Sequence, residues 1–420
     1  MKKIVFLLGL FLLSFSGMAQ GNRLKVFLDC SQTWICNTEY VRSEIRLVDF
    51  VRDRFDADLH ILVNHQTSSS GGTQVRLTFI GMRRFANATD TLTYFIEPAQ
   101  TDDISRQRMV HFLQLGLTRY LVQSGQADKV KIEFHKPGDS TASSTVAAKD
   151  PWNYWVFLIG GSMNLSGSQN TESRNFDGWI NADRETEDWK INFSVNANRS
   201  DNEFVDGDRR LKFARKEYAS ELQIARSIND HWSYGGAVSY VNSLFSNIRT
   251  GFRIRPKLEY SLFPYKKFNT ERVVLQYMIG PTINNYYDST IFFKEKETVL
   301  QQNVNLIASF TKPWGAINLG VFYANYFDDF EKNNLSFNSG ISWKVTKGLN
   351  LAVWGYYSLV NDQITVRKGQ ATREELLTNN RELLSSYQYG FNVGCSYRFG
   401  SIQNSIVNPR FKGLSYSINY

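Results

Sequence analysis

The sequence predicts a mainly β chain: a transmembrane antiparallel β-barrel of about 12 strands, preceded by a small periplasmic α+β domain. Three observations predict it. Tyr387–Phe399 alternates for longer than most soluble strands run, with Tyr387, Tyr389, Phe391, Val393, Cys395, Tyr397 and Phe399 on one side. Gln388, Gly390, Asn392, Gly394, Ser396 and Arg398 form the other side, so the strand is greasy outside and wet inside. Stretches of the same period recur from Asp150 onward, and their number is even, as in single-chain bacterial barrels. The connections between them also sort by parity, tight after even strands and longer after several odd ones.

Met1–Gln20 reads as a secretory signal: Lys2 and Lys3, an apolar run over Ile4–Phe15 too short to span a bilayer, then Gly17-Met18-Ala19 before the cut. Mean hydropathy is −0.35, which a barrel permits because half of each strand is polar. Aromatic residues make up 14% of the chain, mostly Phe and Tyr, as girdles at two membrane interfaces require. The formal charge of +8 falls by two without Lys2 and Lys3. The remaining charges scatter with alternating sign, so no stripe for nucleic acid forms.

Residues 21–135 read as the α+β domain, in the order β-α-β-β-β-α-β. Leu24–Asp29 is a strand, and Asn37 or Thr38 caps a helix through about Arg54. Asp58–Asn64, Gln74–Ile80 and Thr91–Ile96 are strands, with a flexible turn at Ser68–Gly72. A second helix follows Asp102 and Asp103, and Lys129–His135 closes the domain as a strand. Cys30 and Cys36 are close enough in sequence to form a disulfide in an oxidising compartment; free thiols and a redox pair are the alternatives. His60, His65, His111 and His135 show no metal-ligand spacing, and the Ser70 turn lacks a phosphate-binding loop's Lys-Ser/Thr. No cofactor, metal site or catalytic residue is expected.

Residues 136–150 are small, polar and turn-prone, a linker. Residues 151–400 carry strands near 154–165, 174–184, 187–199, 215–228, 231–243, 250–263, 272–286, 297–310, 314–327, 333–345, 348–361 and 386–399. Asp201–Ala214, Asp288–Lys296 and Asp362–Ser385 are the long connections, which puts the small domain and both termini on the periplasmic side. Lipid cannot satisfy a backbone polar group, so the first strand must pair with the last. The first, second and eleventh strands alternate less cleanly, and Trp179, Trp354 and Tyr356 point inward. Residues 401–420 form a periplasmic tail, with Phe399 and Tyr420 competing as the aromatic end read in barrel assembly.

Inward positions are mainly Asn, Ser, Gly and Gln. Arg253, Arg255 and Lys257 form a basic ladder on one strand, and Lys190, Lys344 and Arg398 face the same interior. Glu221, Glu259, Asp177 and Asp183 are candidates to neutralise them. Two readings compete: a charge-compensated, closed barrel serving structure or interaction, and a narrow pore whose basic wall favours anions. The alternative class is a lipid-modifying enzyme of lipase or acyltransferase type. His231, the barrel's histidine, sits in a tight turn without a paired serine, which is a weak base for catalysis.

Val26–Cys30, Tyr40–Ile45, Phe50–Arg54, Gly400–Ile402 and Val407–Phe411 together resemble an uncharacterised family of Bacteroidota-type outer-membrane barrels. The barrel is similar in architecture to salt-induced outer-membrane barrels of unknown function. The resemblance implies location and fold and assigns no site. Partners expected are outer-membrane lipid, the barrel-assembly machinery and a periplasmic protein bound through residues 21–135, where Tyr40–Glu44 and Val51–Arg54 read either as a contact surface or, the favoured alternative, as a solvated helix face with pairs such as Arg46–Asp49 and Asp49–Arg52.

Overall fold

The computed structural model describes residues 23–30, 35–67, 72–97, 100–131, 150–206, 209–268, 270–372, 375, 381–401 and 410. The predicted signal, the Ser68–Gly72 turn apart from Gly72, nearly all of the linker and nearly all of the tail lie outside them.

The small domain is a five-stranded sheet, β2-β1-β3-β4-β5, formed by β1 (Lys25–Asp29), β2 (Asp49–Phe50), β3 (Leu59–Thr67), β4 (Thr73–Gly81) and β5 (Thr89–Ile96). β1 runs parallel to β2 and β3, and the β3–β4 and β4–β5 pairs are antiparallel. Helix α2 (Asp102–Gln123) starts where Thr101 accepts from the Ile104 amide and Asp102 and Asp103 face the helix's positive end. Its Met109, Leu113, Leu117 and Tyr120 are buried with Ile61, Leu77 and Phe79 of the sheet. Gly116 is required here, because a Cβ would sit 2.0 Å from the Phe79 ring.

Helix α1 (Thr38–Glu44) is capped by Asn37 as expected but stops ten residues short of Arg54. The backbone past it is claimed by β1 instead: the Asp49 amide donates to Leu24 O at 2.9 Å and the Val51 amide to Val26 O at 2.9 Å. Val48 and Phe50 are thereby buried at strand period. The expected closing strand at 129–135 begins as a 3-10 turn, Ala127–Lys129, and its residues from 132 lie outside the described ones.

Twelve antiparallel strands follow in sequence order. They are β6 (Trp155–Gly167), β7 (Thr171–Glu185), β8 (Trp189–Asp206), β9 (Arg209–Ser227), β10 (Trp232–Ser243) and β11 (Ile248–Ser261). β12 (Glu271–Tyr286), β13 (Lys296–Lys312), β14 (Gly315–Tyr326), β15 (Asn333–Thr346), β16 (Leu349–Val360) and β17 (Tyr387–Tyr397) complete the set. Glu221 of β9 and Gln388 of β17 line one cavity, so the sheet rolls around a lumen.

Two expectations are corrected. The long connection at Asp201–Ala214 is mostly strand: β8 and β9 run on to Asp206 and Arg209 as a protruding hairpin. Its cross-strand pairs mix charge with apolar groups, Glu203 facing Lys212 at 3.3 Å beside Phe204 facing Leu211, so the strand signal is diluted. The other concerns closure: among the described residues no ladder joins β6 to β17. Gly160 and Gly161 on one edge and Gly390 and Gly394 on the other give these two strands weak intrinsic pairing preference.

Candidate functional site: the lumen and the domain joint

The lumen holds a cavity of about 820 Å³, lined by polar side chains of β9 to β17 and by Asp362, Gln363, Thr365 and Glu382 of the connection 361–386. The described residues of that connection, 361–372, 375 and 381–386, lie at the end away from the small domain. Arg381 ties its two arms, donating to Arg367 O and Gly369 O at 2.7 Å each. Arg367 reaches Asp288 at 3.6 Å, and Ile364 is buried with Val299 and Tyr326. Asn247, 1% exposed, joins the neighbouring loops by donating to Asp288 O at 2.8 Å and Thr365 O at 3.0 Å.

The six predicted basic residues separate. Arg253, Arg255 and Lys257 line the cavity together. Lys190 lies toward the domain-side end, 3.2 Å from Glu185, in a smaller space that Gln66 of the small domain also lines. Lys344 and Arg398 border a third space, about 480 Å³, between the small domain and the barrel. The expected neutralising acids take other partners. Asp177 accepts from Asn198 and Asp183 from Asn192, each at 2.6 Å, and Glu259 from Gln276 at 2.6 Å.

Arg255 is not a free lumenal charge. Pro256, next to it on β11, and Pro281, on β12, fall in the break of the β11–β12 ladder between the Arg253–Thr282 and Lys257–Met278 pairs. The guanidinium donates to Gly280 O and Pro281 O at 3.0 Å each, to Ile254 O at 3.3 Å, and to Thr282 Oγ1 and Gln301 Oε1 at 2.6 Å each. Arg255 therefore repairs the wall. Arg253 and Lys257, on either side, make no hydrogen bond or ion pair among the described residues. They stand about 13 Å apart along one strand. Glu221 faces the same row as Arg253 two strands away, with Ser239 between, a spacing of about 10 Å.

The small domain meets the barrel at the β15–β16 turn. Lys347 Nζ lies 2.6 Å from Asp56 Oδ1, and the Gly348 amide donates to Asp53 Oδ2 at 2.7 Å. Gly348 has φ +74°, and a Cβ there would lie 2.1 Å from Arg398 O, so only glycine serves. Lys344 reaches into the domain and pairs with the buried Asp29, which is also 3.1 Å from His60 Nε2. Sequence reasoning assigned Lys344 to the lumen; its strand parity is right, but at the end of β15 the side chain meets the docked domain. Val51–Arg54, expected to face a separate partner, turns toward this joint, where Arg52, Asp53 and Arg54 line the space against the barrel.

Burial pushes the His60 imidazole below its ordinary value of 6.5; the hydrogen bond and charge of Asp29 oppose this, while Lys344 and Arg54 add to it. His60 Nδ1 has no hydrogen-bond partner, so a proton there would be buried unsatisfied. The neutral ring is favoured in the fold, and the unfolded chain takes up the proton first as pH falls. Stability is thus full above 6.5 and is lost below it, down to the depressed folded value. The protection factors of the β3 amides, taken against the intrinsic exchange rate at each pH, should fall on acidification from pH 7.5 to about 5.5, and His60→Gln should flatten that dependence. An equal fall in the variant would assign it to other groups.

Cys30 and Cys36 are joined as a disulfide, with Cα atoms 5.8 Å apart. Cys395 is free and exposed. His231 Nδ1 lies 2.7 Å from the Ser261 carbonyl oxygen, which fixes the ring against a backbone group.

Residues 164–365 match the family described as "Protein of unknown function, DUF481". Among solved structures, the NanC porin is 12% identical with a TM-score of 0.28, over 58% of this chain and 99% of that one. The translocator domain of the autotransporter NalP from Neisseria meningitidis is 12% identical with a TM-score of 0.19, over 58% of this chain and 81% of that one. No curated protein matches.

Proposed function

We propose that this chain is an integral outer-membrane barrel of the Bacteroidota-type, salt-induced kind, forming a narrow conduit for small anions that is capped at both ends. The observation that carries the reading is the lumenal cavity with Arg253 and Lys257 unpaired on its wall. A cation without a protein partner in a polar chamber attracts an anion from solution, and a narrow wall focuses that attraction. The periplasmic cap is the small domain, held by Asp29, Asp53 and Asp56. The outer cap is the connection 361–386. The Val51–Arg54 surface then acts within the chain, leaving other faces of the domain for a periplasmic partner.

Conductance across planar bilayers tests this. Full-length protein should conduct little, and deletion of residues 21–150 should raise the current severalfold with anion preference. Arg253→Gln with Lys257→Gln should remove that preference and shift the reversal potential toward zero. A deletion variant without ion-selective current would overturn the conduit reading.

A further inference from the structure

The two edges of the barrel sheet and the side chains beneath them form a feature the conduit does not use. Cross-strand partners point to the same side of a sheet, so facing can be followed from the lumen outward. Glu221 lines the cavity and faces Ser194, which faces Asn181, which faces Leu158. On the other edge, Ser358 and Gln388 line the cavity as a pair, and Tyr356 and Trp354 follow on the same side of β16. Val156 and Leu158 of β6, Trp179 of β7, and Trp354 and Tyr356 of β16 therefore point inward. These are the strands whose alternation is irregular in sequence.

Elsewhere, inward apolar groups are packed: Val274 is 1%, Tyr286 4% and Tyr326 7% exposed. Beside the edges they are not: Leu158 is 53% and Trp354 55% exposed. The edge strands place only small or polar residues opposite the rings, Gly160 against Trp179, Gly390 against Tyr356 and Asn392 against Trp354. The outward sides of the same strands are fully apolar, through Phe157, Ile159, Tyr389, Phe391 and Val393. An apolar surface thus continues from the outer face, around two edges that no ladder joins among the described residues, onto the inner wall.

We propose that the β6–β17 seam is a lateral portal through which the acyl chain of a membrane lipid reaches the inner wall and lies on Leu158, Trp354 and Tyr356. The inference rests on the membrane placement of the barrel. Continuity with the outer belt selects the occupant: a chain leaving the bilayer passes from apolar surface to apolar surface, and burying it against these rings is favourable by about 25 cal/mol per Å².

Site-specific photo-crosslinking tests the portal. Benzoylphenylalanine is placed singly at Leu158, Trp354, Asn303 and Phe391. Each variant is reconstituted in dioleoyl phosphatidylethanolamine/phosphatidylglycerol vesicles, irradiated, and examined by mass spectrometry for a lipid adduct. Heat-modifiable gel mobility confirms folding, and the two seam positions lie on separate strands, so one misfolded variant leaves the other. Adducts are expected at Phe391, Leu158 and Trp354, with yields at the seam at least about tenfold above Asn303 on the far wall. Adducts at Phe391 alone would overturn the portal and leave the membrane placement standing. Equal adducts at Asn303 would also overturn it, since lipid would then have no preferred wall. Absence of adducts at Phe391 would overturn the membrane placement itself.

Discussion

Replacing Arg255 with methionine is expected to destabilise the barrel by about 1–3 kcal/mol, because several wall carbonyls and two side chains lose a charged donor together. Pro281 has no amide hydrogen to donate across the break in the β11–β12 ladder, and the guanidinium spans that break. Arg255→Lys should recover only part of the loss, since a point charge cannot reach this fan of acceptors as a planar fork does. Arg253→Met, two residues away on the same face, should change stability by less than about 0.5 kcal/mol, because that side chain has no partner to lose. Urea midpoints in detergent micelles, followed by tryptophan fluorescence and heat-modifiable mobility, separate the two. Equal midpoints for the Arg253 and Arg255 variants would sink the assignment of Arg255 as a wall repair.

That contrast also marks where sequence reading stops. Arg253, Arg255 and Lys257 form one inward ladder by period 2, and the structure puts all three on the lumenal wall. Their different roles depend on register across β11 and β12. Nothing in either strand alone says that Pro256 and Pro281 fall within one unpaired stretch. The same limit explains the acids: Asp177 and Asp183 face inward as their parity requires, yet their partners are the amides directly across the ladder, Asn198 and Asn192. Cross-strand neighbours reach a carboxylate before a lysine several strands away does.

The twelve barrel strands were legible because period-2 alternation recurs along the chain, cleanly in most of them and less so in β6, β7 and β16. The β8–β9 extension was not, since Asp201, Glu203, Arg210 and Lys212 dilute the apolar positions Phe204, Leu211 and Phe213. The small domain was legible through its buried strands and α2. The shortened α1 was not, because Val41, Ile45 and Val48 fit helical spacing while Val48 and Phe50 fit strand spacing, and pairing with β1 decides between them. The domain joint was legible only as a charged segment, Val51–Arg54. Its target is a turn some 290 residues away in sequence, and strand parity cannot show where a docked domain sits.

Lys344→Met should undock the small domain. Asp29 is 4% and Lys344 15% exposed, so the methionine takes the charged amine away from a buried carboxylate. Removing one charge of a buried pair costs about 3–5 kcal/mol. Lys347→Met removes a similar contact to Asp56, but from a side chain 56% exposed, where water screens the pair and the loss is at most about 1 kcal/mol. Asp29→Asn should resemble Lys344→Met, and the double variant should lose less than the sum of the two, with a coupling of about 0.5–3 kcal/mol. In bilayers, the two single variants at this pair should conduct like the protein lacking residues 21–150, whereas Lys347→Met should stay closed. If Lys344→Met and Lys347→Met behave alike, the buried carboxylate is not the anchor, and the Gly348–Asp53 contact must hold the domain instead.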